Sequence, residues 1–144
     1  MSLDGVYEDS NIFAKIIRGE MPSAKVCEDD DTLVFMDAFP QSRGHIMVIS
    51  KTSKARNLMD VEPEALTRLI LKVQEVTGAV RKALNPDGIA VMQFNGAPAG
   101  QSVFHLHFHI IPRWDGVALS RHASGGMADM GELKSLATAI AAKL

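Results

Sequence analysis

Phe104-His105-Leu106-His107-Phe108-His109-Ile110 alternates apolar and imidazole side chains without a break. Successive side chains of a strand point to opposite faces, so the pattern predicts a half-buried strand. His105, His107 and His109 then share one face at steps of about 6.7 Å, and Phe104, Leu106, Phe108 and Ile110 turn toward the core. Three of the 5 histidines in the chain fall here, and each titrates near neutrality. Such a face is open to phosphate chemistry or to metal binding, since His-x-His on a strand can chelate zinc or copper. His45 is available to complete a metal site, but no cysteine is near and no Asp or Glu occurs between Asp87 and Asp115.

The loop before the strand favours phosphate. Asn95-Gly96-Ala97-Pro98-Ala99-Gly100-Gln101-Ser102 combines two glycines, which let a backbone approach a ligand closely, with three amide or hydroxyl side chains. Such a loop can turn its N–H groups inward as an anion nest. It leads into a strand rather than a helix, so it is neither a P-loop nor a dinucleotide fingerprint.

Further out, Asn11 is a candidate N-cap for a short helix that groups Ile12, Phe13, Ile16 and Ile17 and stops at Gly19 and Pro22. Residues 24–28 and 32–37 read as a hairpin around Asp29-Asp30-Asp31, and 45–49 as a third strand. From about 62 to 84 the apolar residues Leu66, Leu69, Ile70, Val73, Val76, Val80, Ala83 and Leu84 recur at helical steps, with Pro63 and Asn85-Pro86 as punctuation. Residues 88–95 and 102–112 complete five strands; Gly116, Gly125, Gly126 and Gly131 mark a loop, and 132–143 a last helix. Strands in consecutive hairpins with one long helix before the last two predict an α+β fold. Its sheet is five-stranded and antiparallel, with the helices on one face.

The 144 residues suit one domain, residues 1–144, and 47% apolar with 22% charged residues is ordinary globular composition. A net charge of −2 provides no field to recruit nucleic acid or an anionic membrane. Cys27 is the only cysteine, which excludes an internal disulfide and any zinc site needing two thiolates. No apolar run approaches the roughly 18 residues of a membrane span, and the N-terminus lacks a signal-like apolar stretch, so the expected location is cytoplasmic.

His105-Leu106-His107-Phe108-His109-Ile110-Ile111 resembles the motif of the histidine triad family, His-φ-His-φ-His-φ-φ with φ apolar, in its bacterial Hint-like branch. Asn11-Ile12-Phe13-Ala14-Lys15-Ile16-Ile17, Phe35-Met36-Asp37, Gly44-His45-Ile46-Met47-Val48-Ile49 and Gly100-Gln101-Ser102-Val103 are similar to family segments in the same order. The resemblance covers about residues 11–113 and leaves 114–144 as an extension that closes over the nucleotide or lies across a dimer. It implies a dimerising fold and a homodimer that binds purine nucleotides. In such a protein the middle histidine, His107, attacks the α-phosphorus of a phosphoramidate or acyl-adenylate, and a nucleotidyl-histidine is then hydrolysed or transferred. The alternatives it leaves are a dinucleoside polyphosphate hydrolase and a nucleotide-binding interaction module. It further implies that His105, His109 and His45 assist, and that Asn95, Gly100, Gln101 and Ser102 hold phosphate. Asp37 is implied to accept from the ribose, with Ile12, Phe13, Ile16, Phe35 and Met47 around the base. No metal or other cofactor is expected: the Cys-x-x-Cys zinc pair of some bacterial members is replaced here by Asn11 and Ala14.

Overall fold

The computed structural model describes residues 3–120 and 126–144; Gly125, read as part of the loop after Trp114, lies outside them. In chain order the elements are α1 (Ile12–Ile17), β1 (Lys25–Glu28), β2 (Thr32–Met36), β3 (Ile46–Ser50) and α2 (Pro63–Leu84). They are followed by β4 (Gly88–Met92), a single 3-10 turn (Ala97–Ala99), β5 (His107–Arg113) and α3 (Met130–Ala141). The strands form one antiparallel sheet in the order β1-β2-β3-β5-β4. The fold is therefore the α+β class expected. One detail differs: β3 and β4 are not neighbours, because the 22-residue α2 carries the chain across the sheet and β5 folds back between them.

The two faces of the sheet divide by parity. Val34, Met36, Ile46, Val48, Phe108 and Ile110 pack with Leu69, Val73, Val76 and Val80 of α2 and Leu133, Leu136 and Ile140 of α3. Each fully buried aliphatic side chain here contributes about 1.5–3 kcal/mol relative to exposure. Leu33, Phe35, Met47 and Ile49 face the other way and pack under Phe13 of α1. Helices thus cover both faces, not one, because α1 is a six-residue helix whose apolar residues sit beside the histidines. The extension is also clarified: α3 packs on the sheet face opposite α1, so its helix is no lid over the histidines. Ile70 is 44% exposed, since the stripe of α2 that meets the sheet runs through Leu69 and Val73 instead.

The most informative departure is at the start of β5. The ladder begins at His107, not at residue 102, because Leu106 donates its N–H to the Ala55 carbonyl rather than to a strand. Phe104 consequently leaves the core and lies under the Arg56 guanidinium, 4.6 Å from ring centroid to Cζ. β4 likewise stops at Met92, after which Gln93 and Asn95 turn inward to bond each other. Gly44, at φ +87°, enters β3 where an added Cβ would lie 2.5 Å from Leu84 Cδ1, so only glycine lets the chain deliver His45.

Candidate active site

Register places the site residues in cross-strand rows. Leu33, Ile49 and His107 form one row, and Phe35, Met47 and His109 the next. Asp37 and His45 follow, joined by the Asp37 N–H to the His45 carbonyl at 2.9 Å. All four histidines of the site are buried, His45 completely.

Their tautomers follow from partners that can act in only one sense. His107 Nδ1 lies 2.7 Å from the His105 carbonyl and must donate to it, which leaves the lone pair on Nε2. His105 Nε2 donates to the Ser50 carbonyl at 3.0 Å, so its Nδ1 accepts from the Tyr7 hydroxyl at 2.7 Å. The Gln41 N–H donates to His45 Nδ1 at 3.1 Å, so His45 Nε2 carries hydrogen and donates to His109 Nδ1 at 2.9 Å. His109 is thereby left with its proton on Nε2. Two rings 5.0 Å apart, His107 and His109, accordingly present a nucleophilic nitrogen beside an N–H donor. Phe13 meets His107 edge-on at 4.9 Å and fixes the ring plane.

Burial pushes the His105 pKa down to about 4, with the neighbouring His107 acting in the same direction against the Ser50 hydrogen bond. The unfolded chain takes up this proton near 6.5. Stability from a neutral His105 is therefore full above about pH 6.5 and is lost as pH falls toward about 4, about 3 kcal/mol in all. Urea unfolding between pH 7 and 4.5 should show a shallower decline for His105→Gln than for the wild type. Equal slopes would contradict this account of His105.

The loop at 95–102 is organised differently from a nest of inward N–H groups. Gly100 donates its N–H to the Ala97 carbonyl and Gln101 to that of Gly96, which closes the 3-10 turn. The buried Gln101 side chain accepts from the Gly96 N–H at 2.8 Å and donates to the Arg56 and Val103 carbonyls at 2.7 and 3.1 Å. Gln101 is therefore a brace for the loop, and its amide is occupied. Asn95 Oδ1 accepts from the Leu58 N–H and from Gln93. Ser102 is exposed on the open side of the loop.

Of the residues expected around a base, Phe13, Phe35 and Met47 are buried together, Ile16 packs against them, and Ile12 is 42% exposed. Asp37 accepts from the Phe39 N–H at 2.8 Å and points its other oxygen to His45 Nε2 at 3.5 Å. Asp37, His45 and His109 offer ligand atoms within 4.8 Å of one another, a set that could hold a metal ion. Sequence reading found no carboxylate for such a site because Asp37 is far from the triad in the chain. It also missed Tyr7 and Arg56. No local pattern marks either: the N-terminal segment reaches the site only through tertiary packing.

A protein-family model described as the HIT domain matches residues 18–116. Adenosine 5'-monophosphoramidase hnt1 of Schizosaccharomyces pombe is 39% identical over 104 residues, covering 72% of this chain and 74% of that protein. Adenylylsulfatase HINT3 of Arabidopsis thaliana is 38% identical over 131 residues, covering 83% and 66%. Among solved structures, a Hit-like protein from Bartonella henselae superposes with a TM-score of 0.91 at 47% identity, over 97% of this chain and 100% of that one. A zinc-bound histidine triad family protein from Mycobacterium smegmatis does so with a TM-score of 0.79 at 33% identity, over 93% and 94%.

Proposed function

The chain belongs to the HIT domain family, and from that premise we propose that it is a nucleotide hydrolase or nucleotidyl transferase with His107 as nucleophile. The observation that carries this is the His107–His105 carbonyl bond, which engages Nδ1 with the backbone and turns Nε2 of this buried imidazole the other way. His107 Nε2 attacks the α-phosphorus of a purine nucleotide conjugate, a phosphoramidate or acyl-adenylate. The P–N or P–O bond to the departing group breaks; an amine leaves with a proton relayed from solvent through the Ser102 hydroxyl, which solvent re-protonates, and a carboxylate leaves unprotonated. The nucleotidyl-histidine is cationic, and its Nδ1–H still donates to the His105 carbonyl. Water or another acceptor then displaces the imidazole and loses a proton. His109 Nε2–H donates to a phosphoryl oxygen as charge develops there, a task suited to a water-poor site. Asp37 receives the ribose hydroxyls, and Phe13, Phe35 and Met47 back the base.

This reading needs no metal. His45 Nε2 and His109 Nδ1 bond each other at 2.9 Å. The Asp37-His45-His109 cluster supports a second reading, in which a two-nitrogen, one-oxygen set holds zinc and supplies a Lewis acid. No helix among the described residues is long and apolar enough to cross a membrane. Two features support a homodimer: the sheet ends on β4, whose Val91 is 46% exposed, and Ile70 and Leu71 of α2 are exposed.

One preparation tests these points. The expected result is a dimer by sedimentation that turns over adenosine 5'-phosphoramidate equally well before and after exhaustive chelation. Loss of turnover on chelation, restored by zinc, overturns the metal-free mechanism. AMP binding without turnover of any nucleotidyl substrate makes the chain a binding module.

A further inference from the structure

Outside the rows described above, Arg56 stands out. Only 9% of its surface is exposed, and its Nη1 is buried without a hydrogen-bond partner. It is the one buried side-chain nitrogen or oxygen among the described residues in that state. The guanidinium lies against the Phe104 ring, and it sits so close to the Gly5 backbone that an added Cβ there would clash with Nη1. An arginine is always charged, and a buried charge without a partner costs several kcal/mol unless something compensates it. Most buried polar groups in folded proteins have such partners.

Arg56 also lines a cavity of about 410 Å³ that runs past Ser102, Val103, Asn11 and the exposed Glu8. Ser102 and Val103 belong to the loop that Gln101 ties to the Arg56 carbonyl, so the cavity adjoins the proposed phosphate site. Asp37 and His45 lie beyond His109, toward one end of the imidazole row, and neither lines the cavity, which is built from the 102–104 side. If the nucleoside occupies the Asp37 side, the displaced group leaves on the Arg56 side.

We propose that this cavity is a leaving-group subsite for an oxyanion, recognised by Arg56 that Phe104 and Gly5 hold in place. The inference rests on the hydrolase reading above and names a substrate class for it: nucleotide conjugates whose departing group carries a carboxylate, sulfate or phosphate. A planar guanidinium suits such groups because it offers paired donors. Glu8, the one carboxylate lining the cavity, is exposed and forms no ion pair with Arg56, so it does not neutralise the site from within.

The test compares adenosine phosphoramidates of glycine and of glycinamide, which break the same bond and differ in one negative charge. The wild type should prefer the glycine conjugate, chiefly through KM. Arg56→Met, which keeps the stem over Phe104, should cut kcat/KM for glycine by about 10- to 100-fold and change glycinamide by less than about threefold. Arg56→Lys should retain part of the preference, which separates charge from packing; thermal melts of both variants show that they fold. An equal loss on both conjugates reduces Arg56 to a packing residue and overturns the proposal. If inorganic phosphate inhibits the wild type, Arg56→Met relieves it and the glycine preference is untouched, the site serves free anions and the leaving-group assignment fails. Turnover of neither conjugate by the wild type counts against the hydrolase reading itself.

Discussion

Replacing His107 by alanine should lower kcat/KM for adenosine 5'-phosphoramidate by about 10,000-fold or more, the scale of losing a covalent nucleophile. AMP affinity should change by less than about tenfold, since Asp37, Phe35 and Met47, the residues proposed to hold the ribose and base, lie on other rows. The fold should survive, because His107 faces the site rather than the helix-packed core. The contrast between catalysis and binding is what matters. A merely structural role would lower both, whereas a charge-stabilising role would cost only about 100- to 1,000-fold. Steady-state turnover and AMP titration on the same variant distinguish these cases.

The second large effect is expected at Gln101, where catalysis and stability should fall together. Gln101→Ala strands the Gly96 N–H and the carbonyls of Arg56 and Val103, all of which its amide now satisfies. Each buried group left unpaired costs about 1–3 kcal/mol. With some relaxation, a total loss of about 2–4 kcal/mol and a drop in Tm near 10 °C follow. The loop that carries Ser102 would lose its tie to the Arg56 and Val103 carbonyls, so kcat should fall by about 100-fold, the scale of a small misplacement of reacting groups. Gln101→Glu keeps the acceptor for Gly96 but loses both donors, and should behave worse than wild type in both respects. Unchanged thermal stability with a large kcat loss would mean that Gln101 acts on substrate directly.

What the sequence made legible was local and periodic. Alternation at 104–110 identified the histidine face, and helical steps from Leu69 to Val80 identified α2, because both patterns repeat with the geometry of one element. The end of each pattern was harder to read. Phe104 continues the alternation, yet Ala55 takes the Leu106 N–H and the strand begins only at His107. Long-range polar partners left no trace in the chain. Tyr7 reaches His105 across 98 positions, and His45 meets His109 across 64. The loop at 95–102 was legible in composition but not in direction: its glycines suggested an open nest, and the 3-10 turn spends the N–H groups of Ala99, Gly100 and Gln101 internally. The Gln101 amide is engaged within the fold as a brace, which its sequence setting did not show, and Asp37 gains a histidine neighbour that its sequence setting could not reveal.

The central claim is a covalent nucleotidyl-histidine on one particular ring. The most direct test is rapid denaturing quench of the working enzyme at alkaline pH, where a phosphorus–imidazole bond survives, followed by peptide mass analysis. The prediction is a mass gain of one nucleoside monophosphate group, confined to the peptide containing His107 and absent from His107→Ala. The modified fraction should rise and decay within single-turnover times. Turnover at full rate with no adduct, or an adduct on His105 or His109 instead, would contradict it.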